Sequence, residues 1–215
     1  MVNFISNLIG NDALATAILS FIPLIELKGG IIFARGAGLG FLQSFGLSYL
    51  GSTIVFIPVF FLLIPVLKLL KKLKIFSSLA DKLQAYFADK AENALKKAEK
   101  GGKKAHSDVF YKALGVFIFV AIPLPVTGVW TGTAVAVFLG LKFKDALLPV
   151  VIGNFIAGAI ISALAEIIIA LSPSVETAGA VLNYVLYGLL ILAAVLFIVA
   201  VVKVLRKKKS TAEEK

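Results

Sequence analysis

FIPLIELKGG, residues 21–30, is the stretch whose reading decides the fold. It sets a proline, a carboxylate and an ammonium inside a largely apolar run, residues 13–50. Pro23 withdraws a backbone donor and breaks a helix, which hydrocarbon tolerates only where protein or a water-filled cavity satisfies the freed groups. The break is therefore expected to be buried in protein. Charges at Glu26 and Lys28 are costly at mid-bilayer, so a pair of them there marks a functional site by default.

The motif returns as AIPLPVTGVWTG, residues 121–132, and Ile22-Pro23-Leu24 superimposes on Ile122-Pro123-Leu124 with an offset of 100. The same offset pairs Ala34 with Ala134 and Leu39-Gly40 with Leu139-Gly140; slipped by two, it pairs Gly51-Ser52 with Gly153-Asn154. Two copies of one unit are implied. Hydrophobic segments interrupted by Gly or Pro at corresponding places in two halves point to a transporter-type site near the bilayer midplane.

The rest of the chain fits an integral membrane protein. It has 215 residues, 60% of them hydrophobic, and a mean hydropathy of +0.99, well above a soluble domain. The net charge of +10 does not describe a nucleic-acid-binding face. Twelve of the basic residues lie in 68–112 and six in 203–215, the clustering beside apolar segments that the positive-inside rule produces. There is no cysteine, which excludes disulfides and thiolate metal sites. His106, the single histidine, sits among lysines and glycines and reads as solvated. The first residues, MVNFISN, lack the basic stretch of a signal peptide.

In chain order, Asn11-Asp12 starts a helix whose apolar run ends at residue 25, about 20 Å long against a hydrocarbon core of roughly 30 Å. After a break at 26–30 a second short piece runs to about residue 45, so 13–45 reads as a re-entrant hairpin; two thin spanning helices are the alternative. Residues 48–67 span the membrane, kinked by Pro58 and Pro65, and the lysines from Lys68 onward hold that end in the cytoplasm. These pieces form a first repeat, 1–67. A basic cytoplasmic loop, 68–108, carries an amphipathic helix over 78–100 with a capping-box pattern at Ser78 and Asp81. It is read as lying on the anionic inner leaflet or under the bundle. The second repeat, 109–171, has a hairpin at 109–141 entering from the opposite face and a spanning helix at 146–171. The last segment, 172–215, adds a spanning helix at 179–202 and a basic cytoplasmic tail. The expected fold is all-α: an inverted repeat of re-entrant hairpin plus transmembrane helix, with one further C-terminal transmembrane helix.

At IELKGG and PLPVTGVWTG the chain resembles the small multidrug export protein family, distant relatives of the DedA/VTT membrane proteins. The resemblance covers residues 20–171. The family's first motif falls on Pro23, Glu26, Leu27, Lys28 and Gly29. Its second falls on Pro123, Pro125, Thr127, Gly128, Trp130, Thr131 and Gly132, with Val126 where glycine is usual. The resemblance implies a membrane exporter or lipid translocase. Relatives that handle phosphate often carry an arginine in the second hairpin, and none lies between Lys112 and Lys142 here.

Glu26 leads the functional candidates, because burial and a neighbouring cation pull a carboxylate's proton affinity in opposite directions, which poises it to take and release a proton. A static ion pair closing the tip is the other reading. Lys28 either neutralises Glu26, meets an anionic substrate or snorkels to water. Arg35 suits a phosphate or carboxylate bidentately, or pairs structurally with Glu26 or Glu166. Thr127, Thr131 and Thr133, with Trp130, line a polar path at the second tip or satisfy the backbone that Pro123 and Pro125 leave open. Asn154 bonds helix to helix more readily than it binds substrate. Glu166 reads as a vestibule or interfacial residue. Pro23, Gly29, Gly30, Pro123, Pro125 and Gly128 are expected at the re-entrant tips. The run Arg35 to Gly40 is no nucleotide loop, since its spacing and context do not conform.

These readings converge on a proton-coupled transporter or flippase moving a small amphiphilic or anionic substrate, drug-like or lipid-phosphate, through a midplane site between the two tips. Passive lipid scrambling and a non-transporting assembly role for the basic helix are the alternatives. No enzyme, cofactor, metal site or nucleic-acid partner is expected. The expected partners are membrane lipids, the substrate, protons and, as an option, further copies of the chain, in a multi-pass cytoplasmic-membrane protein.

Overall fold

The computed structural model of the protein describes residues 2–71, 108–174 and 177–199 apart from 186, 193, 196 and 197. The expected amphipathic helix at 78–100 and the basic tail lie outside them. Among the described residues every regular element is a helix: α1 (Val2–Ile9), α2 (Asp12–Phe21), α3 (Glu26–Gly36), α4 (Phe41–Thr53), α5 (Phe56–Lys71), α6 (Asp108–Ala121), α7 (Val129–Phe138), α8 (Phe143–Leu171) and α9 (Thr177–Leu192).

Two stretches are long and apolar enough to cross a bilayer, Phe41–Val66 with 26 residues and Phe143–Leu171 with 29. At about 1.5 Å per residue each exceeds the hydrocarbon thickness. The first is α4 run into α5 across a turn at Ile54-Val55. Pro58 explains that turn, because it has no N–H to offer the Ile54 carbonyl. Both stretches begin earlier than the sequence suggested, at Phe41 rather than 48 and at Phe143 rather than 146. The outward faces of these helices carry exposed Leu42, Leu50, Phe61, Leu148 and Leu164, a lipid-facing surface.

Shorter helix pairs, α2–α3 and α6–α7, precede the long helices. Asn11 starts α2 as anticipated, its side chain accepting the Leu14 amide at 3.0 Å. The first break differs from expectation. Residues 26–30 are the opening turn of α3, and the chain bends at Ile22 to Ile25 instead. Gly29 and Gly30 are therefore buried helix residues, not tip residues. The same helix stops at Gly36 rather than near residue 45, because Gly38 takes a left-handed φ of 87° and Leu39 N–H closes on the Ala34 carbonyl at 3.0 Å. In α7, Gly140 (φ 74°) does the same, with Leu141 N–H on the Ala136 carbonyl at 3.0 Å. These equivalences set the offset over the second arms at 102, so Ala34 matches Ala136 rather than Ala134, and Leu39 matches Leu141 rather than Leu139. The extra two residues lie in the longer second loop.

Each long stretch packs a glycine against the backbone of its preceding pair's first helix. A Cβ on Gly51 would sit 2.5 Å from the Ala17 carbonyl oxygen, and one on Gly153 would sit 2.9 Å from the Phe117 carbonyl oxygen. Only glycine permits those approaches. The two stretches cross where Asn154 Nδ2 donates to Ser52 Oγ (2.8 Å) and Thr53 Oγ1 (2.9 Å), and Phe155 packs edge-on against Phe45 and Tyr49. Two apolar clusters flank this crossing. One joins α2, α3, the later half of α8 and Leu182 of α9; the other joins α5, α6, α7 and the start of α8.

The glycine contacts generate a paired prediction. Gly51→Ala forces a methyl onto backbone that cannot swing aside and should cost about 1–3 kcal/mol. Gly46→Ala, with nothing within 4 Å of the added Cβ, should be neutral or gain up to about 1 kcal/mol from helix propensity. Thermal unfolding in detergent distinguishes them; equal effects would refute the close approach at Gly51.

Candidate functional site: two interlocked tips

The tips face each other and exchange hydrogen bonds. Pro23 and the Pro123-Leu124-Pro125 run both end a helix and leave carbonyls that no helix satisfies. The side chains of Phe21, Ile22 and Leu24, and of Ile122 and Leu124, are exposed. This corrects the expectation of a fully buried break: the apolar side chains turn outward while the backbone is satisfied within the protein. Ile22 O accepts the Glu26 amide at 3.0 Å, and Phe21 O accepts the Trp130 indole N–H, also at 3.0 Å.

Glu26 opens α3 with a φ of 49° and is only 5% exposed. Its carboxylate reaches the other tip, where Oε1 accepts the Trp130 backbone N–H at 3.1 Å. Helix α7 has no side-chain cap from its own N-cap residue, Gly128. Glu26 supplies one from across the fold, where the helix dipole and free amides favour an anion. A Cβ on Gly128 would collide with this carboxylate, so the absence of a side chain there makes the seat.

Lys28, 6% exposed, points the same way. Its ammonium donates to the Leu124 carbonyl at 2.7 Å and to the Thr127 carbonyl, and lies 3.8 Å from Glu26 Oε2. It does not snorkel. At the offset of 102 Lys28 corresponds to Trp130 and Glu26 to Gly128. Lys28 and Trp130 thus each donate to a backbone carbonyl of the opposite tip.

The threonines serve the backbone. Thr127 Oγ1 lies 2.7 Å from the Ile122 carbonyl and accepts the Leu124 amide at 3.1 Å; Thr131 Oγ1 donates to the Val126 carbonyl at 2.7 Å, and Thr133 Oγ1 to Val129 O at 2.5 Å. Arg35 lies apart from the tips. It grips Glu166 with Nε–Oε1 at 2.7 Å and Nη2–Oε2 at 3.0 Å, and donates to the Leu39 carbonyl, tying the end of α3 to α8. Of the two partners read for it from sequence, the structure provides Glu166. Asn154 joins the long stretches and does not reach the tips. A small recess beside Lys28 is walled by Leu24, Ile25, Pro125 and, from α9, Leu189 and Leu190, with room for about one water molecule. Among the described residues no cluster of His, Asp and Glu could hold a metal ion.

Sequence reasoning paired Glu26 with Lys28 and expected the two tips to meet, but it did not set Glu26 against Gly128 and the Trp130 amide or Lys28 on the Leu124 and Thr127 carbonyls, and it missed Phe21, Leu189 and Leu190. The offset of 102 was the available clue, since it sets Glu26 against Gly128 and Lys28 against Trp130.

Residues 26–160 match the family model described as "Putative small multi-drug export protein". No curated protein and no solved structure matches the chain.

Val126 supplies a test of the tip's backbone. It holds a φ of 75°, where a side chain costs about 1–2 kcal/mol and a β-branched one is badly placed. Glycine stands at this position in the motif the chain resembles. Val126→Gly should raise detergent stability by about 1 kcal/mol, net of the entropy glycine loses on folding. A fall in melting temperature would refute the left-handed turn.

Proposed function

The chain belongs to the small multi-drug export protein family, and on that premise we propose that it is a proton-coupled transporter or flippase of the cytoplasmic membrane, with its C-terminus in the cytoplasm. In this reading α2–α3 and α6–α7 are re-entrant hairpins of an inverted repeat, and α9 is the added spanning helix. The substrate is an amphiphile with an anionic or drug-like headgroup, passed between the two tips while its apolar part stays in lipid.

One observation carries this reading: a buried carboxylate and a buried ammonium, both on the first tip, are spent on the backbone of the second. Such a contact has two discrete states. With Glu26 charged, the carboxylate holds the α7 amide and the tips are joined. A proton on Glu26 removes that charge, weakens its hold on Trp130 N–H and biases the tips apart. The packed elements bring no competing charge: among the described residues Lys28 is the only charged partner of Glu26, Arg35 is held by Glu166, and the described part of α9 carries none. Coupling between proton and substrate then follows as a shift between joined and parted tips.

The test is movement of a fluorescent lipid phosphate in liposomes under an imposed pH gradient. Wild type should move it with the gradient, and Glu26→Gln, fixed in the uncharged form, should lose at least about nine-tenths of the gradient-driven rate. Unchanged gradient-driven movement in Glu26→Gln would remove Glu26 from the coupling; movement indifferent to the gradient in wild type would favour passive scrambling.

A further inference from the structure

The N-terminus of α7 already holds a carboxyl group, and that group comes from the chain itself. Glu26 reaches across from α3 to lie against the bare Cα of Gly128, 3.1 Å from Trp130 N–H and 3.8 Å from the Lys28 ammonium. This is more than a free helix end. The seat combines a backbone donor, a glycine with no side chain to fill it, and a lysine side chain that is 6% exposed, and the Glu26 carboxyl group occupies it. The recess beside Lys28 is apolar on its other walls, Leu24 and Ile25 from the first tip, Pro125 from the second and Leu189 and Leu190 from α9. Those last two lie beyond the 26–160 stretch that carries the family match.

We infer that this seat is the headgroup site for substrate, and that Glu26 is its resident placeholder: the oxyanion headgroup of an amphiphile displaces the Glu26 carboxylate from Trp130 N–H and Lys28, while its acyl part lies along Leu189 and Leu190. The inference rests on the transport reading above and names its substrate class. The chemistry follows from the donors. An amide N–H and an ammonium complement a phosphate or carboxylate oxygen and offer nothing to a cationic head. Resident carboxylate and incoming oxyanion cannot share the seat, since like charges at that distance repel strongly away from water. Substrate entry therefore expels Glu26, and Glu26 re-entry expels substrate. With the seat filled by Glu26 the recess holds about one water, as a closed state requires.

Trp130 is the chain's single tryptophan, so its emission reports occupancy of the seat directly. Short-chain phosphatidic acid, short-chain phosphatidylcholine and inorganic phosphate are titrated separately into detergent-solubilised wild type and Glu26→Gln. Glu26→Gln keeps the side chain's volume and removes the competing charge. Phosphatidic acid should saturate a Trp130 emission change, at about tenfold lower concentration in Glu26→Gln than in wild type, the worth of one charge-assisted hydrogen bond no longer displaced. Adding Gly128→Ala to Glu26→Gln fills the seat with a methyl group and should abolish the response, with lipid-free emission and melting temperature confirming the fold. Equal or weaker binding in Glu26→Gln overturns the placeholder role, as does an undiminished response in the Gly128→Ala double variant. A response to inorganic phosphate as strong as to phosphatidic acid overturns the amphiphile assignment, and so does a response to phosphatidylcholine alone. The transport reading fails on different grounds, if wild-type liposomes move no amphiphile at all.

Discussion

Hydrocarbon offers no hydrogen bonds, and that constraint organises this molecule. Each proline break leaves backbone carbonyls that water would satisfy in a soluble protein. Here some of the partners come from the opposite tip. Lys28 covers the Leu124 and Thr127 carbonyls, and Trp130 covers that of Phe21. These cross-tip bonds, beside those each tip makes to its own carbonyls, join the two halves tip to tip. The glycine seams of Gly51 on Ala17 and Gly153 on Phe117 bring the backbones close enough for that meeting. The Asn154 contact to Ser52 and Thr53 fixes where the long stretches cross.

The two tips are not chemically equal. The first tip carries both charges, whereas the second, at the corresponding positions, carries Gly128 and Trp130 and donates only neutral groups. Glu26 and Lys28 are each at least nine-tenths buried. Burying such a pair costs desolvation that a hydrophobic substitute would avoid, and breaking it by removing one partner costs more. A contact of that kind is poorly suited to bulk stability and well suited to a two-state device, because protonation or a competing anion changes its energy sharply. Arg35 and Glu166 form a separate and more exposed clasp, which ties the end of α3 to α8.

Part of this was legible in the chain. Pro23 and Pro123 announced the two breaks, the Gly51-Ser52 and Gly153-Asn154 alignment marked corresponding positions in the two long stretches without showing that the glycines are packing seams, Asn154 was read as bonding helix to helix, and Glu166 was among the partners read for Arg35. The errors have a common origin. Glycines at 29 and 30 suggested a loop, but α3 is a helix packed so tightly that Gly30 lies against Ser20 and Ser48, and small size rather than flexibility is what the position needs. Identities at an offset of 100 misaligned the second arms, since apolar residues match easily, while the cap geometry at Gly38 and Gly140 fixes 102. The Glu26 to Gly128 contact joins residues about a hundred positions apart and leaves no local periodicity to read.

The central claim is that the tips part for substrate to pass. Because the chain has no cysteine, Leu24→Cys and Pro125→Cys, two positions on the same recess, can be bridged by a short bifunctional thiosulfonate without background labelling. Bridged protein in liposomes should stop moving a fluorescent lipid phosphate and recover on reduction. Movement at the full rate with the tips covalently held together would contradict the account.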